Sequence, residues 1–315
     1  MVYERARERL TARGVGLSEC HLVRDSAVLG PTVEGVVANC GLVIVGGGDG
    51  TVSSVSGMVA RAGATLGVIP LGTANDFART LGIPSELEAA CAAIAAGNVV
   101  EVDLGRAGGD CFLNVASVGF GAAVAAAMSP RAKKVLGPAA YALAATRAAG
   151  SVRPFSVELC PVDAATADGP AERFDRVVHV AVGNGRYYGG GRQVSPTAGV
   201  ADAALDVLVI RWAGWRELIG VTRRLRTGDF AGLRSVSSRR TPSIELRTDP
   251  PMPVNLDGEL RGVTPLRFAV EPGALRVLAP QAAGLDPLGP TGATDRRPTD
   301  RRHHRQRRRR GGTTA

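Results

Sequence analysis

This sequence predicts an α/β chain in two unequal parts, an N-terminal parallel α/β domain followed by an antiparallel β-sandwich, with a cleft between them. Three observations predict it. Twice before residue 80 a short, apolar, β-branched run breaks at glycines and passes into a helix. After about Gly105 the signals become mostly strand, punctuated by Pro, Gly and Asp-Gly turns. At 315 residues and 45% apolar content, the chain can bury one large or two moderate cores.

In chain order, a charged helix is expected at about Tyr3 to Arg13. The strand Leu42 to Val45 then runs into Gly46-Gly47-Gly48-Asp49-Gly50, and a helix follows from Val52 to Ala62. A second buried strand, Leu66 to Ile69, ends in Gly72-Thr73, with a new helix start at Asn75 or Asp76. The helix Glu86 to Ala96 and a strand at Val99 to Leu104 complete this part. Right-handed crossovers set such strands side by side in a parallel sheet, both turns on the edge where open α/β sheets bind ligands. Past Gly105, helices are expected at 122–149 and Trp215 to Arg226. Strands are expected at Phe155 to Leu159, Val177 to Val182, Leu205 to Ile210, Ile244 to Arg247, Val254 to Leu260 and Leu266 to Val270. The domains read as 1–105, 106–280 and a tail, 281–315.

The first glycine turn carries chemistry. Glycines let successive N–H groups point at an anion with no Cβ in the way, and the start of the next helix adds its own unpaired amides and positive dipole end. Gly47, Gly48, Gly50 and the backbone of Thr51, Val52 and Ser53 form such a phosphate cradle, and Thr73 offers a second. Asp49 lies among them. A carboxylate beside a phosphate is repelled unless a cation intervenes, so Asp49 points to Mg2+ bridging to nucleotide oxygens, directly or through water. The plainer alternative is a glycine-rich turn with Asp49 as a helix cap.

Gly47-Gly48-Asp49-Gly50-Thr51 followed by Pro70-Leu71-Gly72-Thr73-Ala74-Asn75-Asp76-Phe77-Ala78-Arg79 resembles the bacterial diacylglycerol kinase group of lipid kinases, relatives of sphingosine kinases. NAD kinases share the first motif; the second favours the lipid kinases. The likeness extends to about residue 280 through Val102-Asp103-Leu104-Gly105, Asn114, Gly119-Phe120-Gly121, Lys134, Gly137, Tyr141, Gly183-Asn184-Gly185, Gly189-Gly190-Gly191 and Leu256-Asp257-Gly258-Glu259. It implies an NAD kinase/diacylglycerol kinase-like fold and transfer of the γ-phosphate of ATP to the hydroxyl of a membrane lipid, diacylglycerol first among the candidates. Glu259 becomes the catalytic base, Asp49 acts through Mg2+, and Asp103 holds the glutamate or a water. Local sequence alone makes Glu259 a solvated residue after an Asp-Gly hairpin turn, and Asp103 a turn residue. The resemblance also implies a structural Mg2+ bound by Asp202 with the carbonyls of Gly199 and Ala204, although Ala203 replaces the usual glycine. Tyr187 and Tyr188 are candidates to line a lipid channel. An NAD kinase-like phosphotransferase and a noncatalytic lipid-binding relative stay open. The family's opening strand and Asn-Pro turn have no counterpart here, which points to a start assigned too far downstream or else to an exposed inner strand and a thinner nucleotide site.

The formal net charge of +9 is concentrated at the end. The segment after Pro280 carries nine Arg and three Asp, so +3 belongs to the rest. Such a tail is expected to be disordered and to suit an anionic membrane surface, each arginine contributing on the order of 1 kcal/mol near the bilayer. A solubilising extension or nonspecific attraction to nucleic acid is the alternative; no specific nucleic-acid partner is expected, and a homodimer is left open. Five scattered cysteines without a Cys-x-x-Cys pair indicate neither a disulfide framework nor zinc. The charged N-terminus and the lack of a long apolar run suggest a cytoplasmic protein meeting the inner face of the membrane peripherally.

Overall fold

The computed structural model describes residues 2–280 apart from 121, 124–152, 163–169, 186, 189–191, 194–198, 225–226, 228 and 231. The helix expected at 122–149, with Lys134, Gly137 and Tyr141, lies almost wholly outside the described residues, as do Gly189 to Gly191, the side chains of Tyr187 and Tyr188, and the tail.

Helices α1 (Val2–Ala12) and α2 (Ser26–Val37) precede β1 (Leu42–Gly47), and α3 (Asp49–Arg61), β2 (Thr65–Pro70), α4 (Asp76–Thr80) and α5 (Leu87–Ala96) follow. β1 and β2 pair in parallel, Val45 opposite Val68. On α3, Val52, Val55 and Val59 are buried at spacings of three and four, forming a stripe toward the sheet. α2 was not anticipated: Gly30 and Pro31 within it read as breakers, yet Asp25 caps it by accepting the Ala27 N–H at 3.0 Å.

β3 (Val99–Ala107) corrects the expectation of a third strand beside β2. It pairs antiparallel with β15 (Leu266–Leu278), whose far end lies parallel to β2, Val277 opposite Leu66. The last strand thus returns to the first domain and separates β2 from β3, making the sheet mixed. β15 is interrupted at Pro272-Gly273, where the register shifts and Gly273 takes φ +59. That pair reads as a turn, which is why the sequence signal stops at Val270.

The second domain comprises β4 (Asp110–Phe112), β5 (Val115–Gly119), β6 (Phe155–Pro161), β7 (Glu172–Gly183), β8 (Tyr187–Tyr188), β9 (Arg192–Gln193), β10 (Leu205–Arg211), α6 (Trp215–Arg224), β11 (Val236–Thr241), β12 (Ser243–Asp249), β13 (Pro253–Leu256) and β14 (Glu259–Val263). Its strand pairs are antiparallel. One core gathers Val55, Leu66, Phe77 and Leu81 with Val277, and a second gathers Phe112, Val180, Leu205, Ile244 and Phe268. Phe112 meets Phe268 edge to face, centroids 6.4 Å apart. Among the described residues, no helix is long and apolar enough to cross a membrane.

Candidate active site

The two glycine loops meet backbone to backbone. A Cβ on Gly72 would lie 2.5 Å from Gly48 Cα, and one on Gly48 would lie 3.0 Å from Gly72 Cα. Only glycine permits this approach. Within the second loop, Asn75 takes φ +50, accepts the Gly72 N–H through Oδ1 at 2.9 Å, and donates through Nδ2 to the Gly72 carbonyl at 2.9 Å. Asp49 links the loops by accepting the Phe77 N–H at 3.1 Å, so it caps α4 across the gap.

Among the described residues, the N–H groups of Gly48, Asp49 and Gly50 have no recorded protein acceptor, whereas those of Thr51 and Val52 return to the Gly48 carbonyl at 2.9 and 3.0 Å. The cradle therefore offers the amides at residues 48–50. Val52 puts its side chain in the core, 3% exposed, while Thr73 is exposed at the rim. Burial pushes the Asp49 carboxyl above its ordinary range, and the nearby charges of Asp76 and Asp257 push the same way. The rim thus sets unpartnered backbone amides beside three acidic side chains, Asp49, Asp76 and Asp257.

The β13–β14 hairpin reaches this rim. Asp257 and Gly258 take φ +47 and +101, as a two-residue Asp-Gly hairpin turn requires. Asp257 does more than turn the chain. Its Oδ2 accepts the Ser53 hydroxyl at 2.7 Å and the Leu113 N–H at 2.6 Å; its Oδ1 accepts the Asn114 and Val115 N–H groups at 3.0 and 2.9 Å. Four donors occupy the carboxylate and tie the hairpin to α3 and to the start of β5. Ser53, expected to serve the nucleotide, gives its hydroxyl to this clamp. Local sequence makes Asp257 a turn residue only, because its four partners come from segments more than 140 residues away. Burial raises its carboxyl above the ordinary value, with the four hydrogen bonds opposing.

Glu259, two residues on, stands on β14 with its side chain half exposed and its Oε2 2.9 Å from Arg261 Nη2. Asp103 is brought elsewhere. Buried on β3, it accepts the N–H groups of Gly273 (2.8 Å), Asp202 (3.0 Å) and Ala203 (2.7 Å), so its carboxylate organises the 199–204 loop, and neither Glu259 nor Asp49 is among its recorded partners. The set implied for a structural Mg2+ does not fit a divalent ion. Asp202 is met by Arg240 at 2.6 Å, and Gly199 and Ala204 turn N–H groups toward its carboxylate at 2.8 and 3.2 Å.

An α/β domain with two glycine loops in contact, followed by a β-sandwich, is the two-domain arrangement of diacylglycerol kinase-like proteins. Residues 2–107 match the diacylglycerol kinase catalytic domain, and residues 114–279 match the YegS C-terminal NAD kinase beta sandwich-like domain. Proteins described as probable lipid kinases, YegS-like, from Pseudomonas putida and Pseudomonas aeruginosa are 37% and 40% identical over 257 and 258 residues, covering 80% of this chain and 81% of each relative. A crystal structure of a candidate diacylglycerol kinase from Bacillus anthracis superposes with a TM-score of 0.72 at 27% identity, covering 87% of both chains. The chain belongs to the YegS-like lipid kinase family.

Proposed function

We propose that this protein transfers the γ-phosphate of ATP to the hydroxyl of a membrane lipid, with diacylglycerol as the acceptor and phosphatidic acid as the product. The observation that carries the reading is the fusion of the Gly48 and Gly72 loops into one rim whose free amides suit a polyphosphate. Asp49 is the carboxylate to hold Mg2+ there, directly or through water, and the ion would screen the triphosphate charge. The amides at residues 48–50 orient the phosphates, and Thr73 stands at the mouth.

The base must keep a free lone pair. Asp257 has none to spare, because four donors fill it. Glu259 holds a single half-exposed ion pair with Arg261, worth under about 1 kcal/mol and readily exchanged for a lipid hydroxyl. Glu259 therefore takes the proton as the lipid oxygen attacks phosphorus, while the Asp257 clamp keeps its hairpin beside α3. Positioning and charge neutralisation do most of the work in phosphoryl transfer, so an ordinary carboxylate suffices. The arginine-rich tail draws the enzyme to anionic lipid.

Radiolabelled ATP with mixed micelles of diacylglycerol tests this. Label in the chloroform layer is expected, and Glu259→Gln should remove it while nucleotide still binds. Transfer to NAD instead of lipid, or wild-type turnover in Glu259→Gln, defeats the reading. Sedimentation with anionic vesicles, comparing the full chain with one ending at Pro280, tests the tail: equal binding removes its role.

A further inference from the structure

We propose that the guanidinium of Arg240 takes the place of a divalent cation in the 199–204 loop, so that this loop holds its shape without metal. The loop has a single carboxylate, that of Asp202, and it is already met on both oxygens. Oδ2 lies 2.6 Å from Arg240 Nη2 and accepts the Gly199 N–H at 2.8 Å, while Oδ1 accepts the Ala204 N–H at 3.2 Å. The N–H groups of Gly199 and Ala204 thereby hold the acid oxygens that an ion would take. A hard cation needs about six oxygen ligands, and residues 199–204 supply one carboxylate toward them.

The turn is fixed from the other side by Asp103, which accepts the Asp202 and Ala203 N–H groups and, through its second oxygen, that of Gly273. This anchoring spans β3, the loop and β15, and it holds Ala203 at φ +54, a conformation that disfavours alanine. The peptide geometry is thus set by a buried acid and requires no ion at its centre. Arg240 arrives from β11, where it pairs in register with Asp206 of β10, four residues beyond Asp202. Its head covers the acid from the solvent side: the Asp202 side chain is 22% exposed and that of Arg240 is 44% exposed. A divalent ion would have to share Oδ2 with a guanidinium in contact with it, and the like charges repel. This inference stands or falls independently of the kinase reading.

The test uses the full chain without nucleotide. Mn2+ binding, followed by electron paramagnetic resonance, is expected to be the same in wild type and Asp202→Asn, and EDTA is expected to leave the wild-type Tm unchanged. Arg240→Gln should lower the Tm by about 2–4 °C, and Arg240→Lys should restore most of it. A Mn2+ site present in wild type and lost in Asp202→Asn overturns the proposal, as does an EDTA-induced fall in wild-type Tm or an Arg240→Gln protein that melts with wild type. Should either variant fail to fold, the EDTA response of wild type decides.

Discussion

Replacing Gly72 by alanine probes the joint between the two loops. Its new Cβ would lie 2.5 Å from Gly48 Cα and 2.7 Å from Asn75 Oδ1. Carbon atoms rest at about 3.5–4.0 Å, so the loops must part by about 1 Å or more, and the obstacle is backbone with no rotamer to swing away. Overpacking of this kind costs about 1–3 kcal/mol. The Asn75 bonds to Gly72 would stretch as well, loosening the start of α4. Because a displacement of about 1 Å in a positioned site costs on the order of a hundredfold in rate, kcat/KM for ATP should fall by about that factor while the protein remains folded. Gly50→Ala is the contrast: nothing lies within 4 Å of its Cβ, and alanine favours a helix by about 1 kcal/mol, so its Tm should not fall even if nucleotide affinity does. Steady-state kinetics in mixed micelles, with nucleotide titration and thermal melting, reads both. A Gly72→Ala enzyme with wild-type Tm and nucleotide affinity would falsify the fused-loop account.

Three further outcomes follow from the same geometry. Ser53→Ala removes the α3 hydroxyl from the Asp257 clamp, a charge-assisted bond of about 1.5–3 kcal/mol, and should reduce kcat more than the KM for ATP, with Ser53→Thr recovering part; equal loss in both constants argues against a hairpin-positioning role. Asp49 has its carboxyl raised by burial, so its contribution to stability is fully present below about pH 3.8 and is lost as pH rises through the folded value. Asp49→Asn should therefore be more stable than wild type in urea at pH 7 yet inactive, the gain shrinking toward pH 4, and a pH-independent difference contradicts this. His179, buried between β5 and β10, is held down to about 4, chiefly by burial, with a hydrogen bond to the Val118 backbone opposing. Its stabilising contribution is intact above pH 6.5 and fades as pH falls toward 4, amounting to about 3 kcal/mol, so His179→Gln should flatten that part of the acid-denaturation curve; an unchanged curve rules it out.

Local rules carried much of this fold. The apolar runs at Leu42 and Leu66, the glycines after each, the 3-4 spacing on α3 and the Asp257-Gly258 turn are short-range signals, and each produced the element it foretold. α2 escaped because Gly30 and Pro31 mask a helix whose stability comes from packing Val33 and Val37 on the core.

The residues themselves determined that a strand breaks at glycines into a helix at 46–50 and that a second loop follows it, because glycine conformational freedom and helix-start chemistry act over a few positions. Tertiary structure alone decided that β15 would return between β2 and β3, that Ser53 would spend its hydroxyl on Asp257, that Asp103 would organise a loop a hundred residues away, and that Arg240 would meet Asp202. Those contacts join segments distant in the chain, and their partners are chosen by strand register and by the requirement that buried acids find donors, neither of which a local reading of the sequence contains.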